Sequence, residues 1–291
     1  VQRADVAMYV AKAAHRPFAV YDAAHDVNSA SRLRVIAELR RAIDERELTL
    51  YYQPKERLET GDVVGVEALV RWNHPERGLL PPSEFVPLAQ HTNLIRPLTL
   101  FVLEAALEQC RAWKDDRLSL RVAVNLSARS LLDADLAVDV ERLLARLDLE
   151  PDVLELEITE TMIMADPARA AAILGDLNAL GVRIAIDDFG TGYSSLAYLS
   201  GLPVDEIKID RSFVAAMGEN ASDAAIVRST IDLGRNLGLG VVAEGVETED
   251  VWRALRELGC DAAQGYFLSR PVPPRVLAEW VRARAPVGRV A

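Results

Sequence analysis

The feature that most constrains the fold of this chain is a regular alternation of short apolar runs with longer stretches of helical periodicity. Each apolar run has the length of one β-strand, and most of the runs end in an acidic or amide side chain. The turns after the helical stretches carry glycines, which favour helix C-termini. The predicted strands are Leu48–Tyr52, Val63–Leu69, Leu120–Asn125, Leu154–Thr159, Val182–Asp187, Glu206–Ile209, Val241–Ala243 and Ala262–Phe267.

The helical stretches lie between these runs. Ser31 is a predicted N-cap for a helix that reaches Glu47. Further helices are predicted at Leu131–Leu147, Pro167–Leu180, Ser222–Leu237 and Glu249–Leu258.

This pattern predicts an α/β fold. Eight strands that alternate with helices over about 250 residues are typical of a TIM-type (β/α)8 barrel. The link from Gln53 to Asp62 is too short for a crossover helix, so the first two strands are predicted to be antiparallel. The expected fold is therefore a modified barrel with an antiparallel first strand. An open doubly wound sheet is the alternative, but no glycine-rich phosphate loop follows the first strand to support it.

Composition limits the classes of function. The 291 residues carry a net charge of -11, and no basic stripe of the kind that binds long nucleic acid is evident. No apolar run is long enough to cross a bilayer, and no signal peptide opens the chain. Two isolated cysteines, Cys110 and Cys260, fit a reducing cytoplasm. Because the first residue is Val1, we expect a fragment of a longer protein, in which a membrane anchor could lie elsewhere.

Acidic and amide side chains gather at the predicted strand ends, which form the active-site face of a barrel. Like charges about 4 Å apart repel by roughly 4 kcal/mol at an effective dielectric constant near 20. Lys208 lies among them, but one lysine cannot balance five or more acids. The residues at these ends are Glu67, Asn125, Glu157, Glu160, Asp187, Asp188, Lys208, Asp210, Glu244, Glu247 and Gln264.

Such a cluster of oxygen ligands predicts one or two hard divalent cations, Mg²⁺ or Mn²⁺. Zinc fits less well, because no histidine or cysteine joins the cluster. Two such cations suit phosphodiester hydrolysis, in which a carboxylate can activate water and Lys208 can stabilise negative charge. The pattern by itself therefore predicts a metal-dependent barrel hydrolase.

Short motifs occur in a fixed order along the chain. They are Gln53-Pro54, Glu67-Ala68-Leu69-Val70-Arg71-Trp72, Asn125-Leu126-Ser127, Glu157-Ile158-Thr159-Glu160, Asp187-Asp188-Phe189-Gly190-Thr191-Gly192-Tyr193-Ser194-Ser195, Lys208-Ile209-Asp210, Glu244-Gly245-Val246-Glu247 and Gln264-Gly265-Tyr266. Each motif alone is weakly specific, whereas the ordered set is highly specific. The set resembles the EAL-domain phosphodiesterases over roughly Leu33 to Val281.

This resemblance implies two cation sites that share one ligand. The first cation would bind Glu67, Asn125, Glu157 and Asp187, and the second would bind Asp187, Asp188 and Glu244. The catalytic residues would be Glu244, Lys208, Glu67 and Asp187, with Lys208 holding the attacking water. In a one-metal alternative, Glu244 would be the general base.

The resemblance also implies a substrate groove and a supporting loop. Arg71 would contact a substrate phosphate, Gln53 would line the groove, and Gln264 and Glu247 would support the site or position water. The loop from Asp188 to Ser195, which includes Thr191 and is anchored by Glu160, would link metal binding to homodimer formation through the barrel. The implied reaction opens one phosphodiester bond of cyclic dimeric GMP and gives the linear dinucleotide pGpG.

The N-terminal segment resembles the end of a different domain. Ala4-Asp5-Val6-Ala7-Met8-Tyr9 and Phe18-Ala19-Val20-Tyr21-Asp22 are similar to the last helix and strand of a GGDEF (diguanylate cyclase) domain. The implied domains are a GGDEF remnant and linker at 1–30, an EAL barrel at 31–285 and a tail at 286–291. A GGDEF domain would then be the N-terminal partner in the full-length protein, and no membrane contact is expected from this fragment.

Two other functions stay open at this stage. One is a non-catalytic receptor that binds cyclic dimeric GMP and signals through a partner domain. The other is a metal hydrolase that acts on a different small phosphodiester. The complete set of acids favours catalysis, because binding alone would not need so many clustered carboxylates.

Overall fold

A computed structural model describes residues 30–191 and 201–284. Its strands, numbered in chain order, are β1 (Leu48–Arg57), β2 (Val63–His74), β3 (Gly78–Leu80), β4 (Val122–Asn125), β5 (Leu154–Thr159), β6 (Arg183–Phe189), β7 (Glu206–Ile209), β8 (Gly240–Ala243) and β9 (Ala262–Ala263).

The helices of the described residues alternate with these strands. They are α1 (Ala30–Asp44), α2 (Pro82–Gln90), α3 (Ile95–Asp115), α4 (Ala128–Leu131), α5 (Leu136–Leu147), α6 (Glu160–Ala165), α7 (Pro167–Leu180), α8 (Arg211–Ala216), α9 (Ala221–Leu237), α10 (Glu249–Leu258) and α11 (Pro274–Arg284). A 3-10 turn at Pro151–Val153 precedes β5.

Eight strands close into a barrel in the order β1-β9-β8-β7-β6-β5-β4-β2, because β1 also pairs with β2. Strand β1 is antiparallel to both of its neighbours, whereas β2 and β4 to β9 run parallel to one another. Both the barrel and its antiparallel first strand are therefore confirmed, and the open sheet is excluded. The predicted pattern did not contain β3, a three-residue strand that extends β2 outside the barrel.

The apolar core lies between the strands and the surrounding helices. In β5, Leu154, Leu156 and Ile158 are fully buried and belong to this core. Side chains alternate across a strand, so Glu155 and Glu157 point to the opposite side, into the barrel. The barrel interior is therefore lined by charged side chains, and the stability of the fold comes mainly from the apolar layer outside it.

Two predicted helix boundaries are wrong for identifiable reasons. The helix predicted at Leu131–Leu147 begins only at Leu136, and Leu131 is the last residue of α4, because the Asp133 side chain accepts a hydrogen bond from the Asp135 amide (3.2 Å) and favours a turn between the two helices. The backbone of Ser31 is already helical, so Ser31 is not the N-cap of α1, which ends at Asp44 and not at Glu47.

The last predicted strand is also shorter than expected. Only Ala262 and Ala263 pair as a strand, although the prediction extended to Phe267. Gly265 approaches the backbone of Val246 so closely that a Cβ atom would lie 2.1 Å from its carbonyl oxygen. This contact turns the chain away from the sheet directly after Gln264.

The described helices include none that is long and apolar enough to cross a membrane. The predicted GGDEF remnant and the C-terminal tail lie outside the described residues, except for the end of the linker at Ala30. Their assignment stays a prediction.

Candidate functional site

The parallel strands bring four charged residues together inside the barrel mouth. The Nζ atom of Lys208 on β7 lies 2.9 Å from Oε1 of Glu157 on β5 and 3.2 Å from Oδ1 of Asp187 on β6. It lies 2.6 Å from Oε1 of Glu244, which follows β8. The Lys208 side chain is fully buried, so these charges meet where the solvent screens them little.

The acids determine the charge state of this lysine. Burial alone lowers the pKa of the Lys208 ammonium, but Glu157 and Glu244 outweigh that effect and raise the pKa well above its usual value. Lys208 therefore stays protonated and can donate hydrogen bonds. Burial raises the pKa of the Glu244 carboxyl to about 8, although Lys208 opposes the change. Without a further cation, Glu244 holds a proton at neutral pH.

A second group of acids forms where β6 ends. Oxygen atoms of Asp187, Asp188 and Glu244 lie within 4.8 Å of one another. The pairing of β6 with β7 shifts register between Ile186 and Phe189, and Asp188 has a positive φ of 53°. Strict alternation would send adjacent aspartates to opposite faces, so this irregularity lets both reach the same cluster. Burial and the neighbouring Asp187 raise the pKa of Asp188 to about 6.

The opposite side of the mouth is a chain of amides around Glu67. The Asn125 amide donates to Glu67 Oε1 (2.7 Å), and the Gln264 amide donates to Glu67 Oε2 and to Gln53 Oε1 (3.0 Å). Gln53 in turn donates to the Ser269 carbonyl (2.9 Å). These bonds fix the Glu67 carboxylate, and burial raises its pKa despite the attraction of Lys208.

The cluster fits a hard divalent cation. Glu157 Oε2 is buried and has no hydrogen-bond partner among residues 30–191 and 201–284. An unpaired carboxylate oxygen in a buried site is costly, so it is a natural ligand position. The candidate ligand atoms around it are carboxylate and amide oxygens, the ligands that Mg²⁺ and Mn²⁺ prefer.

The sequence analysis did not identify a second buried lysine, Lys55. Its assumption that Lys208 is the one positive charge among the acids is therefore wrong. Lys55 on β1 is 3% exposed, and its Nζ lies 3.1 Å from Glu157 Oε1 and 3.4 Å from Glu206 Oε1. It also pairs with Glu155. The alternation of β1 could have revealed it, because Lys55 shares a face with Gln53.

The predicted loop residues lie around this site with different contacts. Glu160, at the start of α6, accepts a hydrogen bond from the Gly190 amide (3.0 Å). Thr191 donates its hydroxyl to the Asp188 carbonyl (2.8 Å), which closes the turn after β6. Part of the predicted loop, residues 192–195, lies outside the described residues.

Among the described residues, neither Arg71 nor Glu247 forms an ion pair with the acidic cluster, although Glu67 attracts the Arg71 guanidinium electrostatically. The Arg71 guanidinium donates to the Val70 carbonyl (2.9 Å) and lies 5.6 Å from the centre of the Tyr51 ring. Glu247 is exposed in the segment before α10.

Asp210 accepts a hydrogen bond from the Ser212 amide (3.0 Å) and so caps α8.

A largely apolar cavity of about 380 Å³ lies between β2 and helices α2 and α3 and reaches Asn125, and the sequence did not reveal it. Strand β2 contributes Leu69 and Val70, helices α2 and α3 contribute Val86 and Leu98, and Asn125 lines the wall next to Glu67. The helices that form this wall carry none of the motifs. The site therefore combines a charged centre with an apolar pocket at its edge.

Comparisons with known proteins agree with this architecture. A family model described as "EAL domain" matches residues 36–271. The chain is 45% identical over 276 residues to the bifunctional diguanylate cyclase/cyclic di-GMP phosphodiesterase MucR of Pseudomonas aeruginosa, covering 94% of this chain and 40% of MucR. It is 41% identical over 249 residues to the cyclic di-GMP phosphodiesterase PA2567 of the same organism, covering 85% of this chain and 42% of that protein. The chain thus spans less than half of either relative.

Solved structures show the same fold. The structure of the PaMucR phosphodiesterase in complex with c-di-GMP matches with a TM-score of 0.81 and 47% identity, covering 84% of this chain and 99% of that chain. The FimX EAL domain from Pseudomonas aeruginosa bound to c-di-GMP matches with a TM-score of 0.76 and 26% identity, covering 82% of this chain and 96% of that chain.

Proposed function

This chain belongs to the EAL domain family, and on that premise we propose that it is a metal-dependent phosphodiesterase that hydrolyses one phosphodiester bond of cyclic dimeric GMP to pGpG. The observation that carries the proposal is the convergence of Glu157, Asp187 and Glu244 on one buried lysine, with Glu157 Oε2 left without a partner. A receptor would not need so many desolvated acids, which cost stability unless a cation offsets them.

Six residues are proposed to hold one or two divalent cations, Mg²⁺ or Mn²⁺. When bound, such cations neutralise the acids, activate water and stabilise charge on a phosphoryl oxygen. Asp187 is the proposed ligand of both cations. Its carboxylate lies 3.2 Å from Lys208, and one of its oxygen atoms lies within 4.8 Å of oxygen atoms of Asp188 and Glu244. The proposed ligands are Glu67, Asn125, Glu157, Asp187, Asp188 and Glu244.

Lys208 is proposed to donate a hydrogen bond to the attacking water or to the anionic transition state. Its raised pKa rules out a role as a base, because it stays protonated. In the one-metal alternative, in which Glu244 is not a ligand, Glu244 is the residue placed to take a proton from water, since its carboxyl group lies 2.6 Å from Lys208 and its pKa of about 8 lies near neutrality. The contact with Lys208 keeps the Glu244 carboxyl group in a fixed orientation.

The substrate proposal rests on the apolar cavity beside the acids. A purine base can occupy an apolar pocket while its phosphate reaches a cationic centre. The cavity reaches the acids at Asn125, and two related structures are described with c-di-GMP bound. We propose that Arg71 contacts a phosphate, because it lies on β2 next to the cavity-lining Val70, and that Gln53 and Gln264 position the ligand.

Assembly, the partner domain and the location of the protein are also open to proposal. We propose a homodimer through the barrel, with the loop that begins at Asp188 linking the dimer to the metal site, and a GGDEF domain as N-terminal partner. We also propose that the barrel works in the cytoplasm. Light scattering at the assay concentration tests the dimer, and a fully active monomer would contradict it.

The test is incubation of the chain with cyclic dimeric GMP and Mg²⁺ or Mn²⁺, followed by chromatography of the nucleotides. We expect linear pGpG with metal and none with excess chelator, and we expect Glu67→Gln to abolish turnover. A structure of the related enzyme Bd1971 is described with cAMP and cyclic-di-GMP bound, so 3′,5′-cyclic mononucleotides are needed as competing substrates. Tight binding of cyclic dimeric GMP without product under every metal condition would favour the receptor instead.

A further inference from the structure

The floor of the barrel, below the acids of the mouth, is closed by a buried ion-pair network around Lys55. Its ammonium pairs with Glu155, lies 3.4 Å from Glu206 Oε1 and lies 3.1 Å from Glu157 Oε1. The Lys55 and Glu155 side chains are 4% and 2% exposed, so solvent screens these contacts little. Lys55 therefore connects the floor directly to a proposed cation ligand.

Both buried lysines contact the same oxygen of Glu157. Lys208 lies 2.9 Å and Lys55 lies 3.1 Å from Oε1, whereas Oε2 is buried without a partner among the residues that the structure describes. One carboxylate oxygen is thus held from two directions and the other is left free. Held between two ammonium groups, the carboxylate cannot rotate without breaking charge-assisted contacts.

We propose that Lys55 is a positioning residue that holds Glu157 Oε1 so that Oε2 stays available to a divalent cation. The inference rests on the proposed function, because it takes Glu157 as a cation ligand. Residues that support metal ligands in this way fix the orientation of the ligand, and their loss typically weakens metal binding by about 10–100-fold. Lys55 would act on the cation only through Glu157.

Simple charge balance makes the opposite prediction. If Lys55 served only to neutralise the floor, removing its positive charge would leave the nearby acids more negative and would tighten binding of a dication. If Lys55 orients Glu157, removing Lys55 weakens binding of the cation, even though the loss of a positive charge by itself favours binding. The direction of the change in affinity therefore separates the two roles.

The test is Mn²⁺ titration of the metal-free chain, followed by the electron paramagnetic resonance signal of free Mn²⁺. The main variant is Lys55→Met/Glu155→Gln, which removes one positive and one negative charge and leaves Glu157 and Lys208 intact. We expect its affinity for Mn²⁺ to fall at least tenfold, with a thermal unfolding temperature close to that of the wild type. Lys114→Met, a change on the exposed surface of α3, should bind Mn²⁺ like the wild type.

A second pair of variants applies if the double variant does not fold. Lys55→Met/Glu155→Gln/Glu206→Gln is compared with its parent Glu155→Gln/Glu206→Gln, so that the two differ only at Lys55. Weaker Mn²⁺ binding by the triple variant supports the positioning role. Equal or tighter binding, in either comparison, overturns it while leaving the proposed hydrolysis intact. A wild-type chain that binds no Mn²⁺ would instead overturn the proposed function.

Discussion

The Lys208 ammonium lies 2.6 Å from Oε1 of Glu244. Acidic side chains from β5, from β6 and from the segment after β8 surround this buried ammonium group. Lys208 also contacts Glu157 and Asp187, so it occupies the centre of the charged cluster. A fixed ammonium at this position is already oriented toward charge that develops during phosphodiester cleavage.

Replacement of Lys208 should separate catalysis from metal binding. We expect Lys208→Met to lower kcat by about 10²–10³-fold, because a preoriented donor to the transition state is lost. Affinity for Mn²⁺ should change less than kcat, because the lost contact with Glu157 Oε1 is offset by removal of a positive charge from the cluster. Steady-state kinetics with Mn²⁺ titration measures both quantities, with Lys114→Met as the matched surface control. Unchanged kcat would show that Lys208 is only structural.

Metal binding should be coupled to proton release. The pKa values of Glu244 and Asp188 are raised to about 8 and about 6, so the metal-free protein retains protons that a cation must displace. The apparent affinity for Mn²⁺ should rise from pH 6 to pH 8 by up to about tenfold per pH unit, because metal-free Glu244 is still largely protonated over this range and a cation must displace its proton. Calorimetry in buffers of different ionisation enthalpy counts the released protons, and a pH-independent affinity would contradict the prediction.

Gly265 should tolerate no side chain. A Cβ atom there would lie 2.1 Å from the Val246 carbonyl oxygen, which is backbone and cannot move aside cheaply. We expect Gly265→Ala to lower the free energy of unfolding by about 3 kcal/mol, the upper range for overpacking, and to displace Gln264 from Glu67. Gly175→Ala is the matched control, because nothing lies within 4 Å of its Cβ position in helix α7. Equal denaturation midpoints for the two variants would refute this account.

Glu160 should stabilise the turn that presents Asp188. Its carboxylate accepts the Gly190 amide at 3.0 Å, two residues beyond a positive-φ aspartate. Loss of a hydrogen bond to a charged group costs about 1.5–3 kcal/mol, so Glu160→Ala should reduce kcat/KM by about tenfold or more. Glu160→Gln keeps an acceptor oxygen and should lose less. Kinetics in which Glu160→Ala matches the wild type would exclude this role.

The sequence predicted the barrel well because its signal is local. The boundaries of Leu154–Thr159 and Glu206–Ile209 match β5 and β7, since each is a short apolar run with helical segments near it in the sequence. The antiparallel β1 followed from the length of a single link. The three-residue β3 was missed because so short a strand leaves no periodic pattern.

The site was only partly predictable for a different reason. Strand-end acids can be read from the sequence, but the irregularity in β6 that gathers Asp187 and Asp188 depends on pairing with β7. The contact of Lys55 with Glu157 joins residues that are 102 positions apart in sequence. Such contacts depend on how the barrel closes, which no local pattern encodes.

The most direct test of the central claim is hydrolysis of cyclic dimeric GMP in H₂¹⁸O with Mn²⁺, with mass spectrometry of the product. The account predicts linear pGpG that carries one ¹⁸O atom in its new terminal phosphate, no product with excess chelator, and none from Glu67→Gln. Unchanged cyclic dimeric GMP with both Mg²⁺ and Mn²⁺, or ¹⁸O-labelled product that forms equally well with chelator, would contradict it.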